Sequence, residues 1–325
     1  MSYDATTTTD EILDGADLAG RHFVITGASS GLGEETTRAL CQHGARVSML
    51  ARNMEKLRAA ETRVQERVPG ARVDLHQVDL ADLRSIRAFA AGFLEANPSF
   101  DVLINNAGVM CCPMARTTDG FEMQFGTNHV GHFLLTNLLM PALLKGAAPR
   151  VVNLSSAGHS ICDVDLEDPN FEKTEYDPWD SYGRSKTANV LFTVELARRH
   201  PAPELVALAV HPGMIMTELG RHLTEETMKQ MMERSAERAE ASGQEATGGM
   251  SFKSVEAGAA TQVWAATASE LAGHSGAYLG DCQLGVAGGN PTGNGYVGYA
   301  LDASNARALW ALSEELVGES FPGAE

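Results

Sequence analysis

With 325 residues, 44% of them apolar, and a net charge of −17, the chain can bury a large core and is too acidic to offer nucleic acid a basic face. Its five cysteines lack C-x-x-C spacing, which fits reduced, buried thiols better than a disulfide framework. The first ten residues are polar and threonine-rich, and no window holds about 18 consecutive apolar residues. Neither a signal peptide nor a membrane span is expected, and the expected location is cytoplasmic.

Residues 1–19 read as a tail that turns into the fold at Asp17-Leu18-Ala19-Gly20. The apolar run 22–26 suits a buried parallel strand. It runs into Gly27-Ala28-Ser29-Ser30-Gly31-Leu32-Gly33, ahead of a helical pattern at 35–43. Strand, glycine-rich turn and helix N-terminus together make an anion site, since backbone N–H groups can approach a pyrophosphate and the helix dipole favours its charge. Gly27, Ser29, Ser30, Gly31, Leu32 and Gly33 are therefore expected to line a dinucleotide.

Further strands are predicted at 46–51, 71–78, 100–104, 149–154, 205–210 and 276–279. Helices alternate with them at 54–67, 82–97, 118–145, from Tyr182 to about 200, at 255–268 and at 302–317. The stretch 214–250 stands apart as a substrate loop, with a helix at 224–241 and a loop at 244–251. Such alternation demands a mostly parallel sheet of about seven strands with helices on both faces. Together with the first-turn glycines it gives an α/β chain, one doubly wound Rossmann domain over 20–325. No repeat or linker divides it.

Two features point to chemistry, the first only with support from the rest of the chain. Tyr182 and Lys186 stand four residues apart at the start of a helix and share a face. An ammonium beside a phenol is expected to lower its pKa toward working pH, so that the tyrosine can move a proton at a carbonyl or alcohol carbon. The plain alternative is a surface tyrosine near a surface lysine. The second feature is Arg52, just past the second strand, where an NAD-preferring site places a carboxylate for the adenosine ribose. Leu50, Ala51, Arg52 and Asn53 offer no acid, and the arginine fork suits a 2′-phosphate, so NADP(H) is expected over NAD(H). The alternative there is a solvated arginine opening the next helix.

Thr26-Gly27-x-x-x-Gly31-x-Gly33, Asn105-Asn106-Ala107-Gly108, Asn128, Ser155-Ser156, Tyr182-x-x-x-Lys186 and Pro212-Gly213 follow in that order. The set resembles the short-chain dehydrogenase/reductase family over roughly 20–280. The stretch 119–133 further resembles the retinol dehydrogenase branch and the reductase domain of the WW-domain-containing oxidoreductases, and neither the anchor of the former nor the WW modules of the latter are expected. The resemblance implies that Tyr182 is the acid/base and that Lys186 tunes it and holds the nicotinamide ribose. It implies that Ser156 polarises the carbonyl, with Ser155 merely ending its strand, and that Asn128 holds a water behind the lysine, a role compatible with an interrupted or kinked helix at that point. Asn106, Ala107, Gly108, Pro212 and Gly213 would line the cofactor and Thr217 would meet its carboxamide. Asp79 would accept from the adenine amino group with Leu80 beside the ring; a helix-capping Asp79 is the alternative.

Substrate choice is expected from 214–250, which holds six of the thirteen methionines. Met228, Met231 and Met232 share a helical face, and methionine surfaces adapt to irregular apolar ligands. The competing account is an amphipathic helix packed on the core. The acidic stretch before Tyr182, with Phe171, Tyr176 and Trp179, is expected either as the opposite wall or as a solvated loop. His129, His132, His159 and His211 lack metal-ligand spacing and receive no catalytic role. The resulting expectation is an NADP(H)-dependent oxidoreductase acting on a bulky apolar carbonyl or alcohol, with no nucleic-acid, membrane or metal partner and with homo-oligomerisation left open. A silent cofactor-sensing regulator on the same fold, or an epimerase or dehydratase, are the alternatives.

Overall fold

The computed structural model describes residues 3–241, 252–321 and 323. Seven strands, β1 (His22–Thr26), β2 (Arg46–Ala51), β3 (Arg72–Gln77), β4 (Val102–Asn105), β5 (Arg150–Leu154), β6 (Val206–His211) and β7 (Tyr278–Gly280), pair in parallel. A two-residue antiparallel strand, β8 (Gln283–Leu284), closes one edge. The order β3-β2-β1-β4-β5-β6-β7-β8 reverses between β1 and β4, the switch point where α/β sheets open a crevice. β1, β4, β5 and β6 are buried along their whole length, which is why they read as unbroken apolar runs.

Helices α1 (Thr9–Ile12), α2 (Gly31–Gln42), α3 (Met54–Arg67), α4 (Leu83–Ala96), α5 (Met123–Phe125), α6 (Gly131–Leu143), α7 (Pro178–Arg199), α8 (Glu225–Ala241), α9 (Val255–Thr267) and α10 (Ala303–Val317) surround the sheet. Two clusters form the core: one sets the apolar side of α4, α6, α7 and α10 against the sheet, the other sets α2 and α9 against it. Burial of these side chains is the main favourable term, at about 25 cal/mol per Å².

Two expectations change. The helix predicted over 118–145 is broken: α5 passes into a π-helical turn, Gly126–Val130, before α6 begins. Residues 1–19 are not a loose tail from Tyr3 onward. Leu13 and Leu18 are buried, and Thr9 donates to the buried carboxylate of Glu35 at 2.7 Å. Arg38 completes that knot, bonding Glu35 and reaching Asp10 at 2.7 Å. The polar composition that suggests a tail is thus partly used inside. The loop expected at 244–251 lies outside the described residues.

Candidate active site

The first-turn glycines open the site. Gly27 has a φ of +66°, and a Cβ there would sit 2.8 Å from the Cα of Ala107, so only glycine lets the two turns meet. Ser30 stands at the N-cap of α2 without a side-chain capping bond, which leaves the first N–H groups of that helix available to an anion. Across the switch point Asn106 donates from Nδ2 to the Thr26 carbonyl at 2.8 Å. The backbone N–H groups of Asn106 and Ala107 both reach the Thr26 hydroxyl at 2.9 Å.

All the residues expected around a cofactor except Gly33 line one cavity of about 1930 Å³. Gly27, Ser29, Ser30, Gly31, Leu32, Arg52, Asp79, Leu80, Asn106, Ala107, Gly108, Tyr182, Lys186, Pro212, Gly213 and Thr217 belong to it. Gly33 and Asn128 stand just behind the wall: a Cβ on Gly33 would meet Asn106 Nδ2 at 2.7 Å, and one on Gly108 would stand 3.3 Å from Asn128 Oδ1 and 3.7 Å from Lys186 Nζ. The volume exceeds the 300–1,000 Å³ or so typical of a single small-molecule site, and so has room for a dinucleotide and a second molecule.

Asp79 does not cap α4; Asp82 does, accepting from Arg84 and Ser85, while Asp79 Oδ1 accepts from the Ala81 N–H at 2.9 Å. Nor does Arg52 open a helix. Asn53 caps α3, and Arg52 lies exposed on the cavity rim one residue earlier. Thr217 caps a short 3₁₀ turn, Glu218–His222, and its methyl lies 3.2 Å from the Cβ position of Gly31.

The reacting end is built by β5, β6 and α7. Ser155 is buried and donates to the Lys186 carbonyl at 2.8 Å, tying β5 to α7. Ser156, the less buried of the two serines, lines the cavity together with Tyr182. Its Oγ accepts from the Gly158 N–H at 3.1 Å, which leaves the hydroxyl proton for another acceptor. Tyr182 and Lys186 occupy one face of α7, as their spacing predicts, and both are nearly buried.

The expected lowering of the tyrosine pKa is not what this arrangement gives. Burial pushes the Tyr182 phenol well above its ordinary value, with the Ser156 hydroxyl acting against that rise and Cys111 adding to it. Burial also pushes Lys186 down to about 8. Desolvation outweighs a cation whose ammonium lies 5.6 Å from the ring centre and donates to the Leu154 carbonyl at 3.0 Å.

Asn128 sits in the π-helical turn with its side chain fully engaged. Oδ1 accepts from the Val109 N–H at 2.8 Å, and Nδ2 donates to the Val109 carbonyl at 2.9 Å and to Ser185 Oγ at 3.0 Å. Ser185 in turn donates to the Tyr182 carbonyl, so Asn128 braces the catalytic helix.

The model of the short chain dehydrogenase family matches residues 21–228. The chain belongs to the short-chain dehydrogenase family. Human retinol dehydrogenase 14 is 40% identical over 315 residues, covering 93% of this chain and 87% of that protein. A short-chain dehydrogenase/reductase, prx1, from Penicillium roqueforti is 40% identical over 312 residues, covering 94% and 87%. The crystal structure of an uncharacterised protein from Mycobacterium paratuberculosis superimposes with a TM-score of 0.72 at 38% identity, over 98% of this chain and 99% of that one.

As a short-chain dehydrogenase, the protein is an oxidoreductase of CH–OH and C=O groups that uses NAD or NADP. The open first turn of α2 and the facing Asn106-Ala107-Gly108 turn fit that cofactor's pyrophosphate and ribose. No group of side chains among the described residues could hold a metal ion, and no described helix is long and apolar enough to cross a membrane.

The second wall comes from α8. Met228, Met231 and Met232 all line the cavity, and Met231 packs on the cluster of Cys111, Trp179 and Tyr182. Trp179 Nε1 donates to the Thr227 carbonyl at 2.9 Å, and Arg234 bonds both Asp177 and Asp180 at 2.8 Å. Of the aromatic residues expected opposite, only Trp179 lines the cavity. Phe171 lies under the Arg184 guanidinium, and the Tyr176 hydroxyl donates to the Cys112 carbonyl.

Sequence reasoning missed a third wall. Lys253, Asp281 and Thr292 line the cavity beside Gly213, and Lys253 donates to Asp281 at 2.6 Å. Nothing in their spacing announces this; the only local sign is the glycine-rich composition of 285–298.

Proposed function

We propose that the protein is an NADP(H)-dependent reductase or dehydrogenase of bulky, apolar carbonyls or alcohols. The observation that carries this reading is a single cavity in which the Ser156 and Tyr182 hydroxyls stand against a wall of Met228, Met231, Trp179 and Leu223. A substrate that offered only a small polar body would leave that wall wet, and apolar burial is worth about 25 cal/mol per Å². The retinol dehydrogenase names of several relatives agree with a long apolar substrate. The mouth of the cavity carries the exposed side chains of Met216, Met232 and Phe252, which suits an apolar ligand entering from that side.

When bound, the nicotinamide supplies or accepts the hydride. The chain's own part is proton and charge management. Ser156 donates its free hydroxyl proton to the carbonyl oxygen and steadies the charge that grows there. Tyr182, buried and protonated, delivers the proton that completes the alcohol, and takes one in the reverse direction. Lys186 supplies the positive charge that favours the phenolate once the proton has left.

NADP(H) preference rests on Arg52. It stands exposed on the rim at the end of β2, and no carboxylate occupies the position that would hold the free ribose diol of NAD. The test is a panel of aldehydes and ketones graded in size and polarity, with retinal among them, followed by NADPH and by NADH oxidation. The reading expects turnover to rise with apolar bulk and NADPH to be favoured by at least tenfold. Preference for small hydrophilic carbonyls, or equal rates with both cofactors, would overturn the corresponding half of it.

A further inference from the structure

The peptide group that joins Ser156 to Ala157 is held at both ends by imidazoles. Its carbonyl accepts from His159 Nδ1 at 2.6 Å, and its N–H donates to His211 Nδ1 at 3.2 Å. A carbonyl oxygen can only accept and an amide N–H can only donate, so the two rings must be opposite tautomers. His159 carries its proton on Nδ1, and its Nε2 accepts from the Val297 N–H at 3.4 Å. His211 carries its proton on Nε2, which faces the Thr292 carbonyl at 3.3 Å, while its bare Nδ1 also accepts from the Gly213 N–H at 3.4 Å.

His211 thereby joins three pieces of the cavity: the serine turn, the Pro212–Gly213 turn and the loop containing Thr292. It is the last residue of β6, 1% exposed, and pairs in the sheet with Gly280. Burial pushes its pKa down to about 4, with His159 and Lys253 acting in the same direction and the Thr292 carbonyl and Asp281 against it. Burial lowers that of His159 as well. Both rings therefore stay neutral at ordinary pH, which the double grip on one peptide requires.

We propose that His211 is a positioning residue for the reaction: its bare Nδ1, together with the Nδ1–H of His159, fixes the plane of the Ser156–Ala157 peptide and so aims the Ser156 hydroxyl beside Tyr182. The proposal rests on the reductase reading for its kinetic arm. Ser156 follows a rigid strand, so its χ1 and the direction of its O–H depend on the peptide that leaves it. A displacement of about 1 Å at a reacting group can cost around a hundredfold in rate.

The test compares three replacements of His211. Asparagine puts an amide oxygen near the Nδ1 position and can accept from Ala157 and Gly213. Glutamine reaches the Nε2 position and can serve only Thr292, and leucine serves neither. His211→Gln and His211→Leu are expected to lower kcat by about ten- to a hundredfold with KM for the carbonyl changed less than about threefold, and His211→Asn to recover most of the lost kcat. If the leucine variant does not fold, the asparagine and glutamine variants carry the comparison. A glutamine variant with wild-type kcat, or an asparagine variant as slow as the glutamine one at equal Tm, would overturn the proposal.

A second measurement does not depend on activity. Long-range ¹H–¹⁵N spectra of histidine-labelled protein should show His211 protonated on Nε2 and His159 on Nδ1. The same tautomer at both positions would refute the grip even if no substrate were found. Spectra as expected with no turnover in the carbonyl panel would instead count against the reductase reading alone.

Discussion

The ammonium of Lys186 lies 5.6 Å from the centre of the Tyr182 ring and donates to the backbone carbonyl of Leu154 at 3.0 Å. Lysine and tyrosine therefore share a face of α7 while the lysine is anchored by β5. Removing the phenol oxygen should leave that anchor intact. Tyr182→Phe is expected to lower kcat by about 10²–10⁴-fold, the usual yield of general acid–base catalysis, with NADPH affinity within about threefold of wild type. Lys186→Ala should lose both rate and affinity. Steady-state kinetics with fluorescence titration of NADPH decides; a phenylalanine variant within tenfold of wild-type kcat would remove Tyr182 from the mechanism.

Arg52→Ala should weaken NADPH binding by roughly ten- to a hundredfold, because a hydrogen bond to a charged group is worth about 1.5–3 kcal/mol. NADH binding should hardly change. Titration of both cofactors makes the comparison, and equal losses would show that Arg52 does not read the 2′-phosphate.

The methionine wall predicts a change of substrate ranking. Replacing Met228 and Met231 together with alanine should reduce kcat/KM for the bulkiest apolar carbonyl by at least about tenfold, the cost of losing a few buried methylenes. Small substrates and cofactor affinity should be nearly unaffected. A uniform loss across substrates, accompanied by a lower Tm, would mean that α8 serves packing alone.

Gly158→Ala tests how closely the serine turn and the tyrosine ring approach. An added methyl would lie 2.8 Å from Tyr182 Cε1 and 3.5 Å from Ser156 Oγ. The ring must shift, so kcat should fall by about tenfold or more, while overpacking costs about 1–3 kcal/mol of stability. Unchanged kcat with unchanged Tm would mean that the turn yields freely.

Acid should destabilise the fold before carboxylates matter. Burial pushes His132 and His211 down to about 4 and His129 to about 3, all from an ordinary value of 6.5. Between about pH 6.5 and 4 the unfolded chain binds protons that these rings exclude, so stability is full above 6.5 and falls as pH drops toward 4. Each ring contributes up to about 1.4 kcal/mol per pH unit in that window. These three rings make unfolding near pH 5 take up at least about two protons, and the buried His22, also pushed down to about 4, adds to them; the dependence of Tm on pH measures the uptake. A flat Tm from pH 7 to 5 would contradict this.

Much of the fold was legible because parallel strands buried on both faces are written as apolar runs, as in Val102-Leu103-Ile104 and Val151-Val152. The site residues that ride directly on those strands or on α7 could be placed by counting: Ser156 after β5, Lys186 four residues after Tyr182. What could not be read depends on contacts between distant segments. The π-helical turn around Asn128 is secured by Val109, nineteen residues away; an interruption there could be expected from the sequence, but periodicity within 118–145 does not give its form. His211 looked idle because its partners, Ala157 and Thr292, are supplied by other loops. The direction of the tyrosine pKa was misjudged for a similar reason: spacing reports which charge is near, whereas burial is a property of the packed whole.

The knot of Thr9, Asp10, Glu35 and Arg38 has a practical consequence at the bench. Glu35 and Arg38 lie on α2, the helix whose first turn faces the cavity, and both are about 3% exposed. Trimming the chain to begin at Gly20 would strip away Thr9 and Asp10 and take Leu13 and Leu18 out of the core cluster that they share with Leu40 and Trp264. A buried ion pair deprived of part of its hydrogen bonding is costly. Such a shortened protein would be a poor vehicle for cofactor-affinity measurements, since a loosened α2 would register as weak binding although no residue of the site had been touched.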